Sequence, residues 1–260
     1  MPAVDDPIRR DFAFEYYYTE RWGRAAVRQL RQHRLEWAVA LLREHIRPEH
    51  RRLLLDVGCG PGEGALTIQR ELGPFERVVG LDIDATNALR GLFRALAAAN
   101  GSASRFLRGS CYALPIPASS VTTMVSFEML EHLGWRDVFL RETRRVLAPG
   151  GLMLLSTPNA GGLHDWLKRP LRLLRGYDRL NRAYRAASDF YERFVSHDEL
   201  AADLRGAGFE VLELTDGCHV LSVVPDWLLP ANAALERSLE RTGRWSRAAV
   251  TTFVIARRTD

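Results

Sequence analysis

Residues 53–62 read LLLDVGCGPG, and this stretch decides the fold. Leu53, Leu54, Leu55 and Val57 form a short apolar run around Asp56, cut off by glycine. A run of that length suits a strand buried on both faces of a parallel sheet. Gly58, Gly60 and Gly62 let the backbone turn tightly and approach a ligand without Cβ clashes. A helix is expected over residues 64–72, and its first turn would offer unpaired N–H groups and a positive dipole end.

Outward from this turn the chain alternates. Further strands are expected at residues 78–81, 105–107, 121–127, 152–156, 209–214 and 250–256. Helices are expected at 85–99, 135–147 and 197–207, with Pro149-Gly150-Gly151 turning the chain into the fifth strand. Strand–helix repetition of this kind specifies an α/β fold, a doubly wound, mostly parallel sheet covered on both faces. Ligands of such sheets sit beyond the carboxyl ends of the strands. Asp82 ends the second strand there and can accept hydrogen bonds from both hydroxyls of a ribose.

The glycine spacing separates adenosine cofactors. A dinucleotide loop needs G-x-G-x-x-G, but Glu63 stands where the third glycine should be. A phosphate-binding Gly-Lys-Ser/Thr is also missing. Asp56, just before the first glycine, can face a cationic amino-acid group. A plain tight turn in a non-binding α/β protein would carry the same glycines, yet would not need Asp82 in register.

These residues resemble the class I S-adenosylmethionine (SAM)-dependent methyltransferases over about residues 53–214. The resemblance rests on LLLDVGCGPG, VVGLDID, RRVLAPGGLMLLSTPN and FVSHDELAADLRGAGFEV. FEMLEHL and STPN are most similar to the ubiquinone-pathway type of O-methyltransferase. The resemblance implies a seven-stranded Rossmann-like sheet of order 3-2-1-4-5-7-6, the last strand antiparallel. Apolar spacing reads residues 12–47 as helical, an N-terminal cap over 1–48 ahead of a methyltransferase domain at 49–260, and a helical lid insertion is expected at about 160–195. For the cofactor the resemblance implies Asp56, Gly58, Cys59, Gly60 and Gly62 around the amino-acid and sulfonium portion. Asp82 would hold the ribose, and Ile83, Ser110, Cys111 and Phe127 would lie around the adenosyl group. Two departures stand out: Gly109-Ser110-Cys111 replaces the usual Gly-Asp-Ala, and Thr122 replaces an acid early in the fourth strand.

Methyl transfer from a sulfonium needs alignment of nucleophile, methyl and sulfur, and a hydroxyl acceptor must also lose a proton. Glu128, Glu131 and His132 follow the fourth strand. Helical spacing i, i+3, i+4 would place all three on one face. They are the candidate catalytic residues, with His132 the base, and in a second reading they are ligands to Mg²⁺ or another divalent ion. Tyr17, Trp22, His164, Tyr191 and Arg193 are candidate acceptor contacts.

Bulk composition narrows the class further. The chain has 260 residues, 47% of them hydrophobic, enough for one sizeable core. The formal charge of +4 says little about partners. Three cysteines without metal or disulfide spacing suit a reducing compartment. With no leader-like start and no long apolar run, the expected location is the cytoplasm, soluble or peripheral to a membrane. Residues 161–185 mix Lys168 and six arginines with leucines and aromatics. Such a segment could meet an anionic membrane or an acidic carrier domain, or be a lid with solvated arginines. The expected reaction is O-methylation of a small molecule such as a quinone, phenol, sugar or natural-product intermediate, by a monomer or homodimer. N-, C- or RNA 2′-O-methylation, or a non-catalytic SAM-binding scaffold, stand as alternatives. Nucleic acid is disfavoured because no single-strand binding module accompanies the basic stretch.

Overall fold

The computed structural model describes residues 25–86, 89, 103–162, 193–219, 226–242 and 249–260. Helix α1 (Ala25–His45) leads into β1 (Leu53–Val57), α2 (Glu63–Leu72), β2 (Arg77–Asp82) and β3 (Ala103–Arg108). The chain continues through β4 (Val121–Phe127), α3 (Arg136–Val146) and β5 (Leu147–Pro158). Helix α4 (His197–Gly206), β6 (Phe209–Gly217), α5 (Leu229–Thr242) and β7 (Thr251–Arg258) complete the described elements.

The seven strands form one sheet of order β3-β2-β1-β4-β5-β7-β6. Only β7 runs against its neighbours β5 and β6. The order reverses between β1 and β4, the first pair to either side of the glycine turn, so the ligand crevice opens at their carboxyl ends.

Alternation along the buried strands builds two cores. Leu55, Val57, Met124, Leu155 and Val254 face α3 and α4 through Phe139, Leu140, Leu200 and Leu204. Leu54, Val125, Leu154 and Ile255 face α1 and α2 through Leu42, Ala65 and Ile68. Trp37 of α1 stacks on Phe253 at 6.3 Å between ring centroids. The described part of the N-terminal segment is therefore one of the covering layers of the sheet.

The strand edges differ from the expected ones for local reasons. Strand β5 starts at Leu147, before Pro149-Gly150-Gly151. Val121 pairs with Leu147 but Thr123 pairs with Leu152, so the Pro-Gly-Gly stretch is absorbed as a bulge, with Gly150 at φ 75°. Thr122 explains its own departure. Its hydroxyl accepts from the Leu53 amide at 3.0 Å and donates to the His50 carbonyl at 2.9 Å, pinning the start of β1.

Candidate active site

The turn after β1 is built from three glycines with positive φ: Gly58 at 70°, Gly60 at 51° and Gly62 at 80°. The amides of Gly58 and Cys59 donate to the Leu81 carbonyl at 2.8 and 3.0 Å, which ties the turn to the end of β2. Asp82 completes the tie. Its Oδ2 accepts from the Gly60 amide at 2.8 Å and its Oδ1 from the Asp84 amide at 2.9 Å.

Asp56 lies under the turn with 1% of its surface exposed. Its Oδ2 accepts from the Ala65 amide in the first turn of α2 at 3.0 Å, while buried Oδ1 has no hydrogen-bond partner. Burial, reinforced by the charge of Asp82 and opposed by the Ala65 amide, pushes its carboxyl up from an ordinary 3.8 to about 7. A buried oxygen left unpaired is costly. A cationic group bound above the turn would remove that cost. The buried Cys59 thiol is likewise pushed up, by burial first and by Asp56 and Asp82 next, so it stays protonated and gives the turn apolar bulk.

The residues expected around the adenosyl group lie as follows. Ile83, next to Asp82, is an exposed apolar side chain at 42%. Ser110 Oγ accepts from the Tyr112 amide at 3.2 Å, which fixes the loop after β3, and Cys111 is half-buried there. Phe127, at the end of β4, packs on Gly64, where a Cβ would lie 2.8 Å from its ring. The glycine turn, Asp56 and Asp82 thus fit the amino-acid and ribose portions of an adenosyl cofactor.

The segment after β4 corrects one expectation. Residues 128–132 are not an α-helix: Glu128 has φ 50°, and only a single 3₁₀ turn, Leu130–His132, follows. Consequently Glu128 and Glu131 engage opposite faces of the sheet. Ser156 Oγ donates to Glu128 Oε1 at 3.0 Å, whereas Thr157 Oγ1 donates to Glu131 Oε2 at 3.3 Å. Consecutive strand residues point to opposite faces, so the two carboxylates cannot converge. Glu128 Oε2 is also taken by Arg34 of α1 at 2.9 Å. Among the described residues, no group of three His, Cys, Asp or Glu side chains is arranged to hold a metal ion. The divalent-ion reading of Glu128, Glu131 and His132 does not fit this geometry, and Glu128 docks α1 through Arg34.

Glu131 and His132 remain together. The Glu131 carboxylate is 3% exposed, and its Oε1 lies 3.8 Å from Nε2 of His132, whose side chain keeps 20% exposure. Arg193 contributes differently from its expected role. Its guanidinium pairs with Glu199 at 2.7 Å, while its amide donates to the Glu131 carbonyl at 2.8 Å. Tyr17, Trp22, His164 and Tyr191 lie outside the described residues, as does most of the expected lid.

Sequence reasoning passed over Arg34, Thr157, His197, Asp216 and Thr252. A signal was available for three of them. In each of β5, β7 and β6 the apolar alternation yields to a polar residue at the crevice edge: Thr157 two beyond Leu155, Thr252 two before Val254, Asp216 two beyond Leu214. A groove of about 710 Å³ lies at the opposite, amino-terminal edge, beside His45, His50 and Gly150, and takes no part in this site.

A doubly wound sheet with a G-x-G-x-G turn tied to an acid at the end of the second strand is a frame that suits an adenosyl cofactor. Residues 55–155 match the family described as "Methyltransferase domain". A probable S-adenosylmethionine-dependent methyltransferase of Mycolicibacterium smegmatis is 33% identical over 160 residues, covering 62% of this chain and 52% of that protein. The demethylmenaquinone methyltransferase of Thermus thermophilus is 32% identical over 166 residues, 61% of this chain and 74% of that protein. The 27-O-demethylrifamycin SV methyltransferase of Amycolatopsis mediterranei is 30% identical over 161 residues, 60% of this chain and 53% of that protein. A solved structure of a putative sarcosine dimethylglycine methyltransferase from Galdieria sulphuraria shares the fold, with TM-score 0.65 at 19% identity over 96% of this chain and 99% of that one. The chain belongs to the class I SAM-dependent methyltransferases. It spans about half the length of the first of these relatives.

Proposed function

We propose that this protein transfers the methyl group of SAM to a hydroxyl of a small-molecule acceptor, with His132 as the general base. The observation that carries the reading is the His132–Glu131 pair, partly exposed at the imidazole and buried at the carboxylate, just beyond the carboxyl end of β4. SAM supplies an electrophilic methyl on sulfur, so no further activation of the donor is required. The residues of this chain bind and orient it: Asp56 and the 58–62 turn face the amino-acid portion, Asp82 the ribose, Ile83 the adenine.

At the acceptor, the oxygen forms a bond to the methyl carbon as the carbon–sulfur bond breaks and its electron pair stays on sulfur. The hydroxyl proton passes to the His132 imidazole. Glu131, 3.8 Å away, stabilises the imidazolium that forms, and the Thr157 hydroxyl holds that carboxylate in place. Removing such a base costs about 10²–10⁴ in rate.

A second reading, transfer to carbon, draws on a ubiquinone/menaquinone biosynthesis C-methyltransferase of Syntrophotalea carbinolica, 29% identical over 202 residues, and would use the same base to form a carbanion. Incubating the protein with carbon-13 methyl SAM and phenolic or quinol acceptors separates the two, because the shift of the transferred carbon reports whether its neighbour is oxygen or carbon. The expected result is an O-methyl product whose formation collapses in His132→Gln while SAM affinity holds. Calorimetric binding of NADH with none of SAM would overturn the whole reading.

A further inference from the structure

Beyond Glu131, a row of polar side chains crosses the sheet at its carboxyl edge. Thr157 of β5 is in register with Thr252 of β7, and Thr252 with Asp216 of β6. All three are buried, at 1%, 1% and 7% exposure. One step further from the edge, the matching row is Leu155, Val254 and Leu214, the apolar packing that a covered sheet face ordinarily carries. Replacing such a row by hydroxyls and a carboxylate costs desolvation unless each group is satisfied.

The far end of the row is an oriented imidazole. Asp216 Oδ1 lies 2.7 Å from His197 Nε2 and accepts from Thr252 Oγ1 at 2.6 Å, and Thr252 Oγ1 is itself 3.3 Å from the same nitrogen. Asp216 is buried, yet the His197 side chain keeps 40% exposure. A looser counterpart stands at the near end, where buried Glu131, held by Thr157, lies 3.8 Å from the partly exposed His132. Two imidazoles therefore stand along one edge, His197 hydrogen-bonded to its buried carboxylate and His132 in ion-pair range of Glu131. The chain leaves β5 at Pro158 and returns beside it through the Asn159–Val195 bridge, so the segment between begins and ends at this row.

We propose that His197, positioned by Asp216 and Thr252, is a second contact for the acceptor, binding a hydroxyl remote from the one that is methylated. Two strand spacings separate Thr157 from Asp216, about 10 Å. The acceptor is therefore an elongated molecule with hydroxyls at both ends, longer than one six-membered ring. With Nε2 committed to Asp216, the other ring nitrogen meets a hydroxyl, which can donate to it or accept from it. This inference rests on the transferase reading above and names the acceptor class for the same site.

The test uses the full chain saturated with S-adenosylhomocysteine. Imidazole carbon–proton resonances of its seven histidines are followed by NMR, assigned with His132→Gln and His197→Gln. Two probes are titrated: catechol, a single ring, and resveratrol, with hydroxyls at both ends of two rings. Catechol is expected to move at most the His132 signal, and resveratrol both. Asp216→Asn should weaken resveratrol about tenfold and leave catechol unchanged, whereas a purely structural role would weaken both alike. Thr252→Val, which leaves His197 and Asp216 in place, should give the same pattern more weakly. An unmoved His197 signal with resveratrol, bound or not, overturns the proposal, as does equal weakening of both probes. Failure to saturate with S-adenosylhomocysteine would instead defeat the transferase reading itself.

Discussion

The backbone amide of Gly60 donates to the carboxylate of Asp82 at 2.8 Å, so the residue proposed to hold the ribose also fixes the shape of the glycine turn. One side chain thereby serves the empty and the loaded site. A hydrogen bond to a charged group contributes about 1.5–3 kcal/mol. Asp82→Ala is expected to weaken SAM by about 100-fold, because the ribose contacts and the turn geometry go together. Asp82→Asn retains one acceptor and should lose about tenfold. Titration calorimetry checks both, and an unchanged Kd in the alanine variant would place the cofactor elsewhere.

Asp56 makes the free protein sensitive to pH. Its carboxyl titrates near 7 when folded and at 3.8 when unfolded, so between these values the folded state holds a proton that the unfolded state lacks. Stability of the free protein is then full below pH 4 for this group and falls as pH rises toward 7, by up to about 1.4 kcal/mol per unit. Asp56→Asn should flatten that slope in urea titrations run across the window. Binding a cationic amino-acid group requires the carboxylate, so SAM affinity should drop as pH falls below 7, with a proton released on binding. Calorimetry in buffers of different ionisation enthalpy measures that proton directly.

Arg34 and Glu128 join α1 to the end of β4, with 12% and 19% of their side chains exposed. Arg34 also donates to the Thr251 hydroxyl at 3.2 Å. The double-mutant cycle Arg34→Met and Glu128→Gln should return a coupling of about 1 kcal/mol in thermal unfolding. Because Glu128 is spent on this contact, exhaustive chelation should leave methyl transfer unchanged. A rate that collapses with EDTA and returns with Mg²⁺ would reinstate Glu128 as a ligand.

Gly64 sits where α2 passes between the end of β4 and Asp56. A Cβ there would lie 2.8 Å from the Phe127 ring and 3.0 Å from Asp56 Oδ2. Gly64→Ala should destabilise by about 1–3 kcal/mol, the usual cost of overpacking, and should weaken SAM by displacing Asp56. Gly134→Ala, with nothing within 4 Å of its Cβ, is the control expected to unfold as the parent does in urea.

What the sequence by itself determined is everything carried by contiguous pattern. The apolar run at 53–57, the glycine turn and the alternation that follows specify a parallel sheet, because each signal lies within one strand–turn–helix unit. Asp82 was legible for the same reason: it closes the second apolar run, at the carboxyl end of a strand, where ligands of such sheets sit. What only the tertiary structure decided is which polar groups meet across elements. The spacing of Glu128 and Glu131 reads as one helical face, yet a single positive φ at Glu128 and the opposite orientations of Ser156 and Thr157 send them to different sides of the sheet. Arg34 reaches Glu128, and His197 reaches Asp216 and Thr252, from remote parts of the chain. Such encounters depend on strand order and register, which long-range pairing sets and no local periodicity encodes.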